Sequence, residues 1–155
     1  MISSAIRGMI LYAACLALPG VSFGLVQDPA IDALKDRLPH APPQDRSNLC
    51  LQIAHLQLMQ AAAFYTNNDP QKAEAALADV AQYSERGGNA AIQSRSHEKQ
   101  TEISIRRMIR RLADLKHEAV REDQPAIQSA IDKLERVRDS LLAAMFPKTP
   151  VPPRQ

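Results

Sequence analysis

The densest run of side chains with recognisable chemistry is Arg106-Arg107-Met108-Ile109-Arg110-Arg111. A guanidinium is planar, permanently charged, and able to hold a carboxylate or phosphate through two parallel hydrogen bonds. On a helix turning about 100° per residue, Arg106, Arg107, Arg110 and Arg111 cover an arc of about 140°, opposite the Met108, Leu112 and Leu115 seam. They are expected to project outward together as a partner-binding surface. The plainer expectation is a charged bundle face, on which Asp114 and Glu118 pair with Arg110 and Arg111. No aromatic residue is interleaved with these arginines, which argues against nucleic acid as the partner.

Other chemistries fare less well. The histidines are His40, His55, His97 and His117. No two lie three or four apart, so no helix presents a ready pair of metal ligands. A site built from His55 and a methionine would need tertiary structure to assemble it. His97 falls on an extension of the Met108 face and is expected to cover the end of the bundle. There is no Cys-x-x-Cys-His for covalent haem, no serine elbow and no glycine-rich phosphate loop. The acid pairs Glu98/Glu102 and Asp114/Glu118 read as solvated faces. The expectation is therefore no catalytic residue, no cofactor and no metal.

Two cysteines bound the redox chemistry. Cys15 falls inside an apolar run, Met9 to Leu18, preceded by Arg7 and broken by Pro19-Gly20. Val21-Ser22-Phe23-Gly24 then offers small residues at the −3 and −1 positions. This order is that of a secretory signal peptide cleaved after Gly24, and the run is shorter than the roughly 20 apolar residues a membrane span needs. Once the leader is removed, Cys50 is the single thiol. Its neighbours Leu49, Leu51 and Ile53 predict that it is buried. A disulfide between two copies is the other expectation, and it leaves room for a homo-oligomer.

The formal charge of the whole chain is +2 and includes Arg7 of the leader. A field that weak steers neither nucleic acid nor anionic membrane, so any electrostatic function must be local. The composition is rich in Ala, Leu, Ile, Gln, Arg and Glu and has no Trp, which favours helices over sheet.

The elements that must position these residues are helical hairpins. Asp28-Pro29 opens a short amphipathic stretch through Ile31, Leu34 and Leu38, stopped by Pro39. Helix A is predicted from about Asp45 to Thr66, apolar nearly all round, with Gln52, Gln57 and Gln60 as its polar relief. A helix of that kind is covered on several sides. Asn67-Asn68-Asp69-Pro70 stops one helix and caps the next. Helix B is predicted from Pro70 to about Arg86, with Gly87-Gly88 as its stop and a polar connector to about Glu98. Helix C runs from before Thr101 to about Arg121, with a seam at Ile105, Met108, Leu112 and Leu115. After Asp123-Gln124-Pro125, helix D runs to about Met145.

The segment Tyr65 to Leu77 resembles the turn between the two helices of a tetratricopeptide repeat, which implies a helical hairpin turn there. A shift of 54 residues brings Leu58 onto Leu112, Asp69 onto Asp123, Ala76 onto Ala130 and Val80 onto Leu134. The expected fold is thus all-α, an antiparallel bundle of two hairpins plus a short N-terminal helix. The expected organisation is a signal peptide over 1–24, a helical domain over 25–146 and a proline-rich tail over 147–155. The expected function is an exported, non-enzymatic interaction or structural module of the periplasm or cell envelope, binding a protein or an anionic envelope component. The rival expectations are a small-ligand or metal carrier with its site in the bundle core, and an extracytoplasmic chaperone.

Overall fold

The computed structural model describes residues 28–147. The expected signal peptide over 1–24 and almost all of the proline-rich tail lie outside the described residues. Five α-helices form an all-α bundle, with no strand among the described residues. They are α1 (Pro29–Arg37), α2 (Pro43–Thr66), α3 (Pro70–Ser94), α4 (Glu98–Glu118) and α5 (Gln124–Met145). A single 3-10 turn, Leu38–His40, follows α1. α1 thus ends just before Pro39, with Leu38 as its C-cap, and the proline sits in the first turn of the 3-10 element, where its missing N–H costs nothing.

Each turn has a local cause. The Asp28 carboxylate accepts a hydrogen bond from Ala30 N at 2.9 Å and caps α1. Pro43 begins α2 from an extended Pro42. At the far end of α2, Asn68 adopts a left-handed φ of 56°. The Asp69 N–H then reaches back to Phe64 O and the Asn68 N–H to Tyr65 O, the bond pair of a Schellman stop. Asn tolerates this conformation better than most residues.

Gly87-Gly88 does not stop helix B. The helix runs through both glycines to Ser94, and the polar connector shrinks to the residues around Arg95–His97. The glycines are there for packing. A Cβ on Gly87 would sit 3.2 Å from Cys50 Cβ and 3.3 Å from Ser47 O, and one on Gly88 would fall 2.5 Å from Val137 Cγ1. They let α3 approach α2 on one side and α5 on the other. The stop is made instead by Arg95, at φ 50°, with Ser96 N–H bonded to Ala91 O and Arg95 N–H to Ile92 O.

The core is one cluster. Ile53, Val80, Ile105, Leu112, Ile127, Leu134 and Leu141 have no exposed surface. The closest pairings are α2 with α3 and α4 with α5, and α3 also packs on α5. By contrast α2 meets α4 only lightly. α1 is fastened across α2 and α3 by polar contacts. Asp79 of α3 accepts a hydrogen bond from Gln57 Nε2 at 2.9 Å and pairs with Lys35 of α1 at 3.5 Å. Lys35 also lies over the Tyr83 ring, 5.6 Å from its centre. Gln57, expected as polar relief on α2, is a buried partner in this clasp.

Candidate functional site

Loose contact between α2 and α4 leaves a groove. Leu51, Leu56, Asn48 and Gln52 of α2 form one wall, Met108, Ser104, Arg107 and Arg111 of α4 the other, and Leu34 of α1 also lines it. This lobe has a volume of about 400 Å³. A second lobe of about 420 Å³ follows along the same two helices, lined by Leu58, Met59, Asp114, Leu115 and Glu118 among others. His55 and Arg111 border both lobes. The first lobe combines apolar side chains with neutral polar ones and two guanidinium groups, and the second adds the Asp114 and Glu118 carboxylates and His117.

The structure divides the arginine arc. Arg106, Arg107, Arg110 and Arg111 are all exposed, as the arc predicts. Arg106 turns back to Glu102, with Nη2 to Oε2 at 3.2 Å. Arg107 and Arg111 face the groove. Arg110 lies outside it. The expected pairs of Arg110 and Arg111 with Asp114 and Glu118 do not form. Among the described residues the ion pairs are Lys35–Asp79, Lys72–Asp69 and Arg106–Glu102. The physical reason is polarity along the helix. A carboxylate four residues before a cation is the favourable order, and Glu102–Arg106 has it, whereas Arg110–Asp114 has the reverse.

Other expected positions resolve as follows. Cys50 is a free, buried thiol with 2% of its surface exposed. Burial pushes its pKa up against the opposing pull of Arg86, so the thiolate that reacts or crosslinks is disfavoured. His97 does not cover the bundle end. It is exposed, with φ 62°, at the start of α4, because the helix break between Arg95 and His97 carries it off the apolar face. His55 faces the groove rather than the core. Among the described residues no group of three or more His, Cys, Asp or Glu side chains is placed to hold a metal ion. Among them, too, no helix is long and apolar enough to cross a membrane.

Sequence reasoning finds the arginines but not the groove. A signal for it is the excess apolarity of α2. Its neighbours leave Leu56 only half-buried and Met59 54% exposed. Apolar side chains on a helix already packed on other faces mark surface that something else can cover. Two buried polar groups were also unforeseen. Ser47 and Thr101 share a hydrogen bond of 2.9 Å across the α2–α4 contact. Among the described residues the Tyr65 hydroxyl is buried without a hydrogen-bond partner, and desolvation raises its pKa to about 12.

The chain matches no family model, no curated protein and no solved structure.

Proposed function

We propose that the chain is an exported, non-enzymatic helical module of the periplasm or cell envelope that captures an anionic partner through α4. The observation that carries this reading is the state of three arginines. Arg107, Arg110 and Arg111 are exposed, and none has an ion-pair partner among the described residues. Like charges at i, i+4 disfavour an isolated helix by about 0.2–0.5 kcal/mol per pair, and Arg107 with Arg111 is such a pair. The opposite face of α4 is committed to the core through Ile105, Met108 and Leu112. An anion meeting the arc therefore relieves repulsion without disturbing packing. Export is supported by the Arg7, Met9–Leu18 and Ser22–Gly24 order of the leader.

The test is partner capture by crosslinking in intact cells. R107Q/R110Q/R111Q should abolish capture while leaving the helical circular dichroism and the thermal midpoint nearly unchanged. Capture by the unaltered chain should fall with added salt, since screening acts over about 8 Å at physiological ionic strength. A triple variant that keeps every partner overturns the reading.

A further inference from the structure

We infer that the first lobe of the α2–α4 groove binds a single-chain amphipathic anion, its head on Arg107 and Arg111 and its chain along Leu34, Leu51, Leu56 and Met108. The inference rests on the reading of the α4 arginines as a capture surface and names the ligand class for two of them. Three observations converge on it. Leu34, Leu51, Leu56 and Met108 give the lobe a continuous set of apolar side chains beside Asn48, Gln52, His55 and Ser104, so an occupant with an apolar chain is accommodated. The two guanidinium groups border the same lobe and have no carboxylate partner among the described residues, so one end of the occupant must be negative. The volume of about 400 Å³ lies within the range of small-molecule sites, roughly 300–1,000 Å³. If a methylene takes about the 30 Å³ share of a liquid water, such a lobe holds a chain on the order of ten carbons.

The second lobe supplies direction. Asp114 and Glu118 line it beside His55, Arg111 and His117, so its charge is mixed, whereas the first lobe has Arg107 and Arg111 and no carboxylate in its lining; an anionic head is favoured in the first. A carboxylate and a phosphate monoester both accept two parallel hydrogen bonds from a guanidinium. A free fatty acid and a single-chain phospholipid headgroup therefore share the chemistry, and the experiment separates them.

Titration calorimetry on the purified full chain, below the micelle threshold, uses dodecanoate, dodecyl phosphate, hexanoate and dodecyltrimethylammonium. One of the two twelve-carbon anions should bind saturably at one site, and which binds tighter identifies the head. Hexanoate should bind far more weakly, since each methylene lost costs up to about fourfold in affinity. R107Q/R111Q should weaken binding at least about tenfold, the effect of losing one charge-assisted contact of about 1.4 kcal/mol. K99Q/R121Q removes the same charge near the ends of α4 and should leave affinity unchanged. Equal binding of dodecyltrimethylammonium overturns the inference. So does anion binding that is indifferent to R107Q/R111Q. If neither anion binds while partner capture still needs the arginines, the amphiphile is wrong and the capture reading stands. If partner capture ignores the arginines, the capture reading itself falls.

Discussion

α2 and α4 hold matching places in their hairpins and carry opposite surfaces. A shift of 54 residues brings buried Leu51 onto buried Ile105, Leu58 onto Leu112, Ala73 onto Ile127 and Val80 onto Leu134. It also brings Ser47 onto Thr101, and these two are hydrogen-bonded to each other. The inward faces are therefore interchangeable in character. The outward faces are not. α2 is covered by α1 as well as by α3, and its outer side stays apolar at half-buried Leu56 and exposed Met59. α4 has no such cover and is lined with arginine. The lesson is that core pattern and surface chemistry are set separately. One recurrent architecture repeats the core, and the covering of α2 by α1 decides which helix is left to meet solvent. The groove lies where the two kinds of surface face one another.

The equivalence is broken most sharply in the core. Leu58 and Leu112 are 4% and 0% exposed. Leu58→Ala and Leu112→Ala should each cost about 2–5 kcal/mol in chemical denaturation, from lost burial and the cavity left behind. Similar losses support matched layers. A loss at Leu112 near that of a surface substitution means that the second hairpin is not closed in the way the first is.

The hydroxyl pair between the hairpins is a finer probe. Ser47 and Thr101 are buried, with 0% and 1% of their surface exposed. Ser47→Ala should cost about 1–3 kcal/mol, because it leaves the Thr101 hydroxyl desolvated and unpaired. S47A/T101V removes both hydroxyls and should recover most of that loss. A double-mutant cycle measures the coupling directly. Independent, additive losses mean that the bond does not tie α2 to α4, and the groove above it then lacks a fixed floor.

Much of the architecture was legible because its signals are local. Asp28-Pro29 and Asp69-Pro70 mark the starts of α1 and α3, whereas Pro43 begins α2 two residues before the expected Asp45; apolar residues at three and four spacing mark the buried faces of α3, α4 and α5. The end of α3 was misread for a physical reason. Glycine past a periodic run has two uses, a left-handed stop and a close helix approach, and only the neighbours Cys50 and Val137 decide between them. Ending the helix at Arg95 defeats prediction, since a non-glycine residue at positive φ carries no sequence signal. The arginine arc was visible from helical spacing. Its division into a groove-facing pair and a Glu102-paired member was not, because that depends on where α2 and α1 lie. Loose packing between two helices leaves no mark in either one.

The smallest expected effect separates two aspartates that the 54-residue shift superimposes. Asp69 and Asp123 both stand before a helix, yet only one acts as a cap. Asp69 accepts a hydrogen bond from Lys72 N at 3.3 Å and pairs with Lys72 Nζ at 2.7 Å. Asp123 has helical backbone angles, φ −88° and ψ −20°, and makes no capping bond. The cause is one residue of sequence. Pro70 follows Asp69 directly, whereas Gln124 intervenes before Pro125. A capping side chain needs an extended backbone to lean over the first turn. The residue before a proline is pushed out of the helical region, so Asp69 is held as a cap and Asp123 is free to join the turn. The contact with Lys72 lowers the Asp69 pKa from its ordinary 3.8. Its stabilising contribution is therefore present above that ordinary value and lost as pH falls through the lower, folded value. D69A should lower the denaturation midpoint modestly at neutral pH, and the gap to the unaltered chain should narrow as pH falls below the ordinary 3.8 and through the lower, folded value. D123A should leave the midpoint nearly unmoved at either pH. Equal losses for the two variants, or a Asp69 effect that does not shrink in acid, mean that the local proline spacing does not set which aspartate caps.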